Sequence, residues 1–188
     1  MRLDGSMRAL CAAGALGVAL ATAAVPVRAD DAPDETLRAL ADLVLNGVRE
    51  QIADCEGRPR VLALAGPGTA ALANPRPPLR WNPQLGEAAA RHGDAMARTR
   101  LFDHVGADGS TVRERVDATG YRWQVIGENL AAGHPRLEEA VVGWLRSRSH
   151  CAALLDPRFT EFGLARTEST SPNDAYGTYW TLVLGRPR

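Results

Sequence analysis

The chain has 188 residues, 22 basic and 22 acidic. That is long enough for one domain with a sizeable core, and too neutral to recruit nucleic acid or an anionic membrane by charge. Every basic residue is arginine, which reads as a genome-composition bias without functional meaning.

The N-terminus reads as an export signal. Met1 to Arg8 is short and basic, Ala9 to Val25 is uncharged, and Val27-Arg28-Ala29 offers a small-x-small cleavage site before Asp30. Met7 is an equally good start. An apolar run of about 17 residues, rich in Ala and Gly, is short for a membrane span. Cys11 precedes that run, whereas a lipoprotein signal would place it after. The expected organisation is therefore a signal peptide at 1–29, a flexible leader at 30–35 and a single domain at 36–188. The mature chain, with a net charge of −2 after losing three arginines and one aspartate, has no transmembrane segment. It is expected to be secreted or periplasmic and monomeric.

Removal of Cys11 leaves Cys55 and Cys151. An even count in an oxidising compartment argues for one disulfide. A zinc site using His150 and Cys151 together is the rival, although adjacent side chains on a helix diverge by about 100°.

Leu37, Leu40, Leu43, Val44 and Val48 share one helical face over Thr36–Ile52. The prolines and glycines of 57–80 rule out a long regular element, leaving room for a short strand at Val61–Leu64. Asn82-Pro83 caps and opens the next helix, which keeps apolar spacing until Leu101-Phe102. Thr111 to Glu114 matches a capping box that opens a short helix, ended by Gly120-Tyr121. Trp123–Ile126 reads as a strand. Leu137, Ala140, Val141, Trp144 and Leu145 fit a helical stripe, with Glu138 and Glu139 near its start and Arg146 and Arg148 near its end, as the helix dipole favours. A further helical turn covers Ser149–Leu155, stopped by Asp156-Pro157. Phe162–Arg166 and Tyr179–Leu184 are two late strands. Helices first and strands late give an α+β class with an antiparallel sheet.

The residue types suited to proton transfer or to binding borderline metals are His104, Glu128 and His150. They occur in Phe102-Asp-His104, Gly127-Glu128-Asn129-Leu130 and Ser149-His150-Cys151, each at the expected end of an element. His92 lies on an apolar helical stripe and reads as structural. His134 reads as a solvated loop residue, and Trp144, Tyr179 and Trp180 as core.

Taken with Leu79-Arg-Trp-Asn82, Asp108-Gly109, Gly120-Tyr121, Phe159-x-Glu161-x-Gly163 and Tyr179-Trp180, these segments make the chain resemble a bacterial member of the CAP superfamily. That superfamily includes cysteine-rich secretory proteins, insect venom antigens and plant pathogenesis-related proteins. The resemblance covers roughly Leu40 to Gly185. It implies an α-β-α sandwich with a small antiparallel sheet between helical layers, and a central cleft lined by two histidines and two acids. Position by position these are His104, His150 and Glu128, with the second acid replaced by Ser147, three residues after Trp144 and on nearly the same helical face. Serine is neither a general base nor a good zinc ligand.

Three functions follow from this reading. The first is a secreted binding or interaction module whose cleft holds a divalent metal, zinc, through His104 and His150, with water or Glu128 completing the shell. Its ligand would be an extracellular protein or a small apolar molecule. The second is a metal-assisted, peptidase-like hydrolase in which Glu128 activates water. Against it, the chain has no His-Glu-x-x-His helix and no Gly-x-Ser-x-Gly elbow. The third, allowed by the resemblance, is a carrier for a sterol or other apolar ligand. The first, a binding module and not a conventional enzyme, is the expectation carried forward.

Overall fold

The computed structural model describes residues 32–52, 54–56 and 76–188. The expected signal peptide and the strand at Val61–Leu64 lie outside them. Helix α1 (Ala32–Gln51) begins inside the stretch expected as a leader. Pro33 is compatible with that start, because a first-turn N–H has no intrahelical partner to lose.

Strand β1 (Arg80–Trp81) leads directly into α2 (Pro83–Thr99). The Asn82 side chain accepts from the N–H groups of Gln84 and Leu85 at 2.9 and 3.2 Å, which satisfies two donors that the helix start leaves open. Arg100 ends α2 in the left-handed region at φ 57°. Helix α3 (Val112–Asp117) starts with the reciprocal capping box between Thr111 and Glu114. Then come β2 (Trp123–Ala132), α4 (Leu137–Arg146), α5 (Arg148–Leu155), β3 (Glu161–Glu168) and β4 (Thr178–Pro187).

The sheet order is β1-β3-β4-β2. Both β2 and β3 run antiparallel to β4. The expectation of a wholly antiparallel sheet needs one correction, since β1 pairs parallel to β3, at two positions only. β1 runs straight into a helix and has no hairpin partner, and a tight hairpin is what makes neighbours antiparallel.

Alternation along β4 sorts the core into two halves. Trp180, Leu182 and Leu184 join Phe162 and Leu164 against Ala41 and Leu45 of α1, Trp144 of α4 and Leu154 of α5. On the other face Val183 meets Leu85, Ala88 and Ala89 of α2, and Tyr179 meets Met96 and Ala97. The result is the expected α-β-α sandwich. The approach of α2 to the sheet depends on Gly163, where a Cβ would lie 2.0 Å from the Gly86 nitrogen and 2.1 Å from the Leu85 carbonyl carbon. Only glycine lets the helix backbone rest on the strand there.

Strand β2 runs further than its expected end at Ile126, through Gly127-Glu128-Asn129 to Ala132. Those three residue types disfavour strands locally. The ladder to β4, with Glu128 opposite Val183 and Asn129 opposite Leu182, overrides that preference. Glu128 is therefore mid-strand, not at an element end as expected.

Two ties hold α1 to α5. The Cys55–Cys151 disulfide is formed, with Cα atoms 5.7 Å apart. Closing so long a loop stabilises by at most about 5 kcal/mol through the unfolded chain. Arg49, 2% exposed, donates to the backbone carbonyls of Leu154, Asp156, Pro77 and Phe159. Burial, then the neighbouring Arg76 charge, lowers its pKa to about 10, with Asp156 opposing.

Candidate functional site

β2 is an edge strand, and its alternation points Glu128 and Asn129 to opposite faces. Glu128 turns towards the α2–α3 layer. Its Oε2 accepts from Arg115 Nη2 at 2.7 Å, with both side chains buried (2% and 8% exposed). Its Oε1 lies 2.8 Å from His104 Nδ1. An ionised carboxylate only accepts, so Nδ1 carries the proton and the neutral ring keeps Nε2 bare. On the other face the Asn129 amide donates to the backbone carbonyl of His150 at 2.9 Å. The two imidazoles meet across the strand edge, with ring centroids 6.2 Å apart and planes tilted by 40°.

The loop carrying His104 is fixed from below. His92 is 1% exposed, and its Nε2 lies 2.9 Å from the Asp103 carbonyl oxygen. Burial is the main cause that lowers the His92 pKa, so the ring is neutral. The carbonyl can only accept, so Nε2–H donates and the bare Nδ1 is without a partner. The structural role expected of His92 is thus to hold the residue before His104. Arg115 adds bonds to the carbonyls of His104 at 3.0 Å and Ser110 at 2.7 Å. His150 lies in the first turn of α5, beside the disulfide at Cys151.

Ser147 lies outside both helices. It forms the corner between α4 and α5 in an extended conformation (φ −97°, ψ 121°), with its hydroxyl 3.3 Å from that of Ser149. The inference that it shares the helical face of Trp144 is therefore corrected, because α4 ends one residue earlier.

The electrostatics of the two histidines diverge. The hydrogen bond to Glu128 raises the His104 pKa above 6.5, with burial opposing and the Glu128 charge assisting. Burial, then the His104 charge, lowers that of His150. Between those two values the pair carries one positive charge, on His104. His150 stays neutral.

The donor set limits what the site can bind. Both Glu128 oxygens are engaged, and among the described residues no group of three or more His, Cys, Asp or Glu side chains is arranged to hold a metal. The available donors are Nε2 of His104 and a ring nitrogen of His150. Zinc bound to imidazole lies about 3 Å from the ring centre, so two rings reach one ion at separations up to about 6 Å. The observed 6.2 Å lies just beyond that limit, so the two rings would have to close by about 1 Å to share one tetrahedral ion. The set fits a borderline dication whose remaining positions go to water or to a ligand.

An aromatic rim adjoins the His104 loop. Phe102 packs against Tyr176 and Tyr179 at centroid distances of 5.5 and 6.4 Å, while Phe102 and Tyr176 remain exposed at 38% and 45%. Asp174 anchors this rim. Desolvation would raise its pKa, but N–H groups of Tyr176 and Gly177 and the Tyr179 hydroxyl bond to it. The net effect is a pKa of about 2. Burial and the bond to Asp174 push Tyr179 up to about 12. As expected, Trp144, Tyr179 and Trp180 are core. The indoles of Trp144 and Trp180 donate to the carbonyls of Leu130 and His134, and His134 is half-buried rather than solvated.

Arg115 is the site residue the sequence reading missed. One signal was present, since it sits beside Val116 and three residues after Val112 in a short helix, on the inward face.

Residues 44–184 match the CAP family, described as the cysteine-rich secretory protein family. The chain belongs to that family. Two curated relatives of this CAP protein come from Bacillus subtilis (strain 168). The uncharacterized protein YkwD is 29% identical over 104 residues, 55% of this chain and 38% of the relative. The uncharacterized membrane protein YlbC is 31% identical over 86 residues, 46% of this chain and 25% of the relative. The matches thus span well under half of each relative. An extracellular protein containing a SCP domain, from Bacillus anthracis str. Ames, superposes with a TM-score of 0.51 at 29% identity, over 58% of this chain and 34% of that one. An outer surface protein from Borrelia burgdorferi gives 0.52 at 23%, over 58% and 78%, a likeness of fold alone.

Proposed function

We propose that this CAP protein is an exported binding module whose cleft holds a divalent cation, zinc by its chemistry, between His104 and His150. One observation carries the reading: the carboxylate of Glu128 takes the Nδ1–H of His104 and leaves Nε2 bare beside His150. Carboxylate-oriented imidazole is the arrangement that fixes tautomer and ring direction in metal sites. A bound zinc would supply Lewis acidity and open coordination positions. The chain's own residues orient the rings, and the described ones offer no third side chain beside them. Those open positions suit a ligand or partner that contributes a carboxylate, an imidazole or water.

Export is supported by the disulfide, which persists in oxidising compartments, and by the likeness to the Bacillus anthracis protein described as extracellular. No helix among the described residues is long and apolar enough to cross a membrane. A hydrolytic role for Glu128 is disfavoured by geometry. It is 2% exposed and each oxygen is already bonded to a cationic or donor group, so it presents almost no surface to a water it would have to activate.

The test is elemental analysis of untagged exported protein, followed by calorimetric zinc titration of wild type and His150→Ala. One zinc per chain, lost in the variant, supports the proposal. Metal-stimulated turnover of a peptide library, abolished by Glu128→Gln, would replace it with the hydrolytic reading.

A further inference from the structure

At the sheet edge opposite the imidazole cleft, β3 is left half-paired. β1 meets it at Arg80–Glu161 and Trp81–Phe162 and then turns into α2. The Phe162 carbonyl accepts from the Asn82 N–H. Strand alternation therefore sends the N–H and C=O of Leu164 and Arg166 to that same edge, while the intervening residues face β4. Among the described residues these groups have no backbone partner.

This edge floors a groove of about 590 Å³. Leu37 and Arg38 of α1 wall one side, Glu87, Ala90 and Asp94 of α2 the other, and Trp81 stands at the β1 end. A second hollow of about 490 Å³ shares Asp94 and Thr167 with the first and prolongs it past Glu168. The cavity is elongated along the strand.

We propose that the groove binds an extended peptide segment of a partner protein, which adds to β3 as a strand in line with β1. Backbone pairing supplies the affinity in this mode, and alternate side chains supply selectivity. The walls define that selectivity. Arg166, whose guanidinium lies over Trp180 on the α1 face of the sheet and pairs with Glu168, presents a cation on one side. Glu87, paired with Arg91, and Asp94, which accepts from the Thr167 hydroxyl, present carboxylates on the other. Successive side chains of a strand point to opposite faces. The fitting segment therefore alternates acidic residues towards α1 with basic residues towards α2, which exchange with these weak exposed pairs. A second copy of this chain does not fit, because its own β3 edge is recessed between its own α1 and α2. Two recessed edges cannot approach to the roughly 4.8 Å that strand pairing needs.

The probe is a fluorescent, end-blocked octapeptide, Glu-Lys-Val-Thr-Glu-Lys-Val-Thr, titrated into the full disulfide-bonded chain by anisotropy. Saturable binding is expected. N-methylation of one alternate set of amides should weaken it by about tenfold or more, while N-methylation of the other set leaves it intact. Arg166→Pro removes one edge N–H and no bond to β4, and should weaken binding about tenfold beyond Arg166→Ala. Where Arg166→Pro does not fold, the N-methylated peptides read the same contact on wild type. Equal affinity for the parent and both N-methylated peptides overturns the proposal. So does equal affinity for the same residues reordered as Glu-Glu-Val-Thr-Lys-Lys-Val-Thr, or absence of saturation. Concentration-dependent dimerisation lost in Arg166→Pro would assign the edge to a second copy and equally overturn it.

Discussion

Glu128 and Asn129 are adjacent in β2, and each fixes one of the two histidines from its own side of the sheet. The carboxylate holds the His104 ring, and the amide holds the His150 backbone. An edge strand is what makes this possible, because loops from both helical layers can fold around it. The same pair gives the Gly-Glu-Asn segment a physical reason for its residue types. Gly127 is explained by packing, since a Cβ there would lie 2.8 Å from the Phe159 ring.

The Arg115–Glu128 pair is buried on both sides, so removing one partner strands the other. Arg115→Met is expected to destabilise the protein by about 3–5 kcal/mol, read as a lower urea midpoint. Arg115→Met combined with Glu128→Gln should recover part of that loss, because the stranded charge is gone. Strict additivity in the double-mutant cycle would mean that the two residues are uncoupled.

The two imidazoles should titrate on opposite sides of 6.5. For His104, with its folded pKa raised, the stabilisation is complete below 6.5 and is lost as pH rises through the folded value. For His150, with its folded pKa lowered, stability is present above 6.5 and is lost as pH falls towards the folded value. NMR of the ring protons reads both midpoints. His104→Asn should move the His150 midpoint upward by removing a neighbouring charge. A His150 midpoint above that of His104 would contradict the site's electrostatics.

Gly163→Ala places a methyl against the backbone of α2, where no side chain can give way. The expected loss is about 3 kcal/mol or failure to fold. Gly47→Ala is the matched control. Its Cβ would meet nothing within 4 Å, and it sits inside α1, so a gain of about 0.5–1 kcal/mol is expected. Thermal melts of the two variants should move in opposite directions.

Ser147→Glu restores the carboxylate that the family resemblance places in the cleft. Ser147 makes no side-chain cap bond, so little is lost, and the new charge favours the α5 N-terminus. One added charge within a Debye length of a dication in water attracts it by about 1 kcal/mol, so zinc affinity should rise by up to about tenfold at low salt. Unchanged affinity would place the introduced carboxylate away from the site.

Much of this architecture was legible from local chemistry. Asn82-Pro83, the Thr111–Glu114 box and the α4 stripe each carry their own start signal, and the two cysteines outside the expected signal peptide permit one internal pair. What was not legible depends on partners far away in sequence. Gly127-Glu128-Asn129 gives no strand signal, and only pairing with β4 extends β2 through it. β1 is two residues long, too short to show alternation. Arg115 looks like a surface residue of a short polar helix until Glu128, 13 residues on, is seen to need its charge. Ser147 followed a helical stripe that continues in sequence and stops in space.

The central claim is that His104 and His150 share one cation. It is tested most directly by anomalous diffraction at the zinc edge, from crystals soaked with zinc near pH 8, where His104 gives up its proton most readily. One peak is expected about 2.0–2.1 Å from His104 Nε2 and from a nitrogen of His150, with Glu128 still bonded to Nδ1. A peak on the Glu128 carboxylate, or saturating zinc with no peak between the two rings, would contradict it.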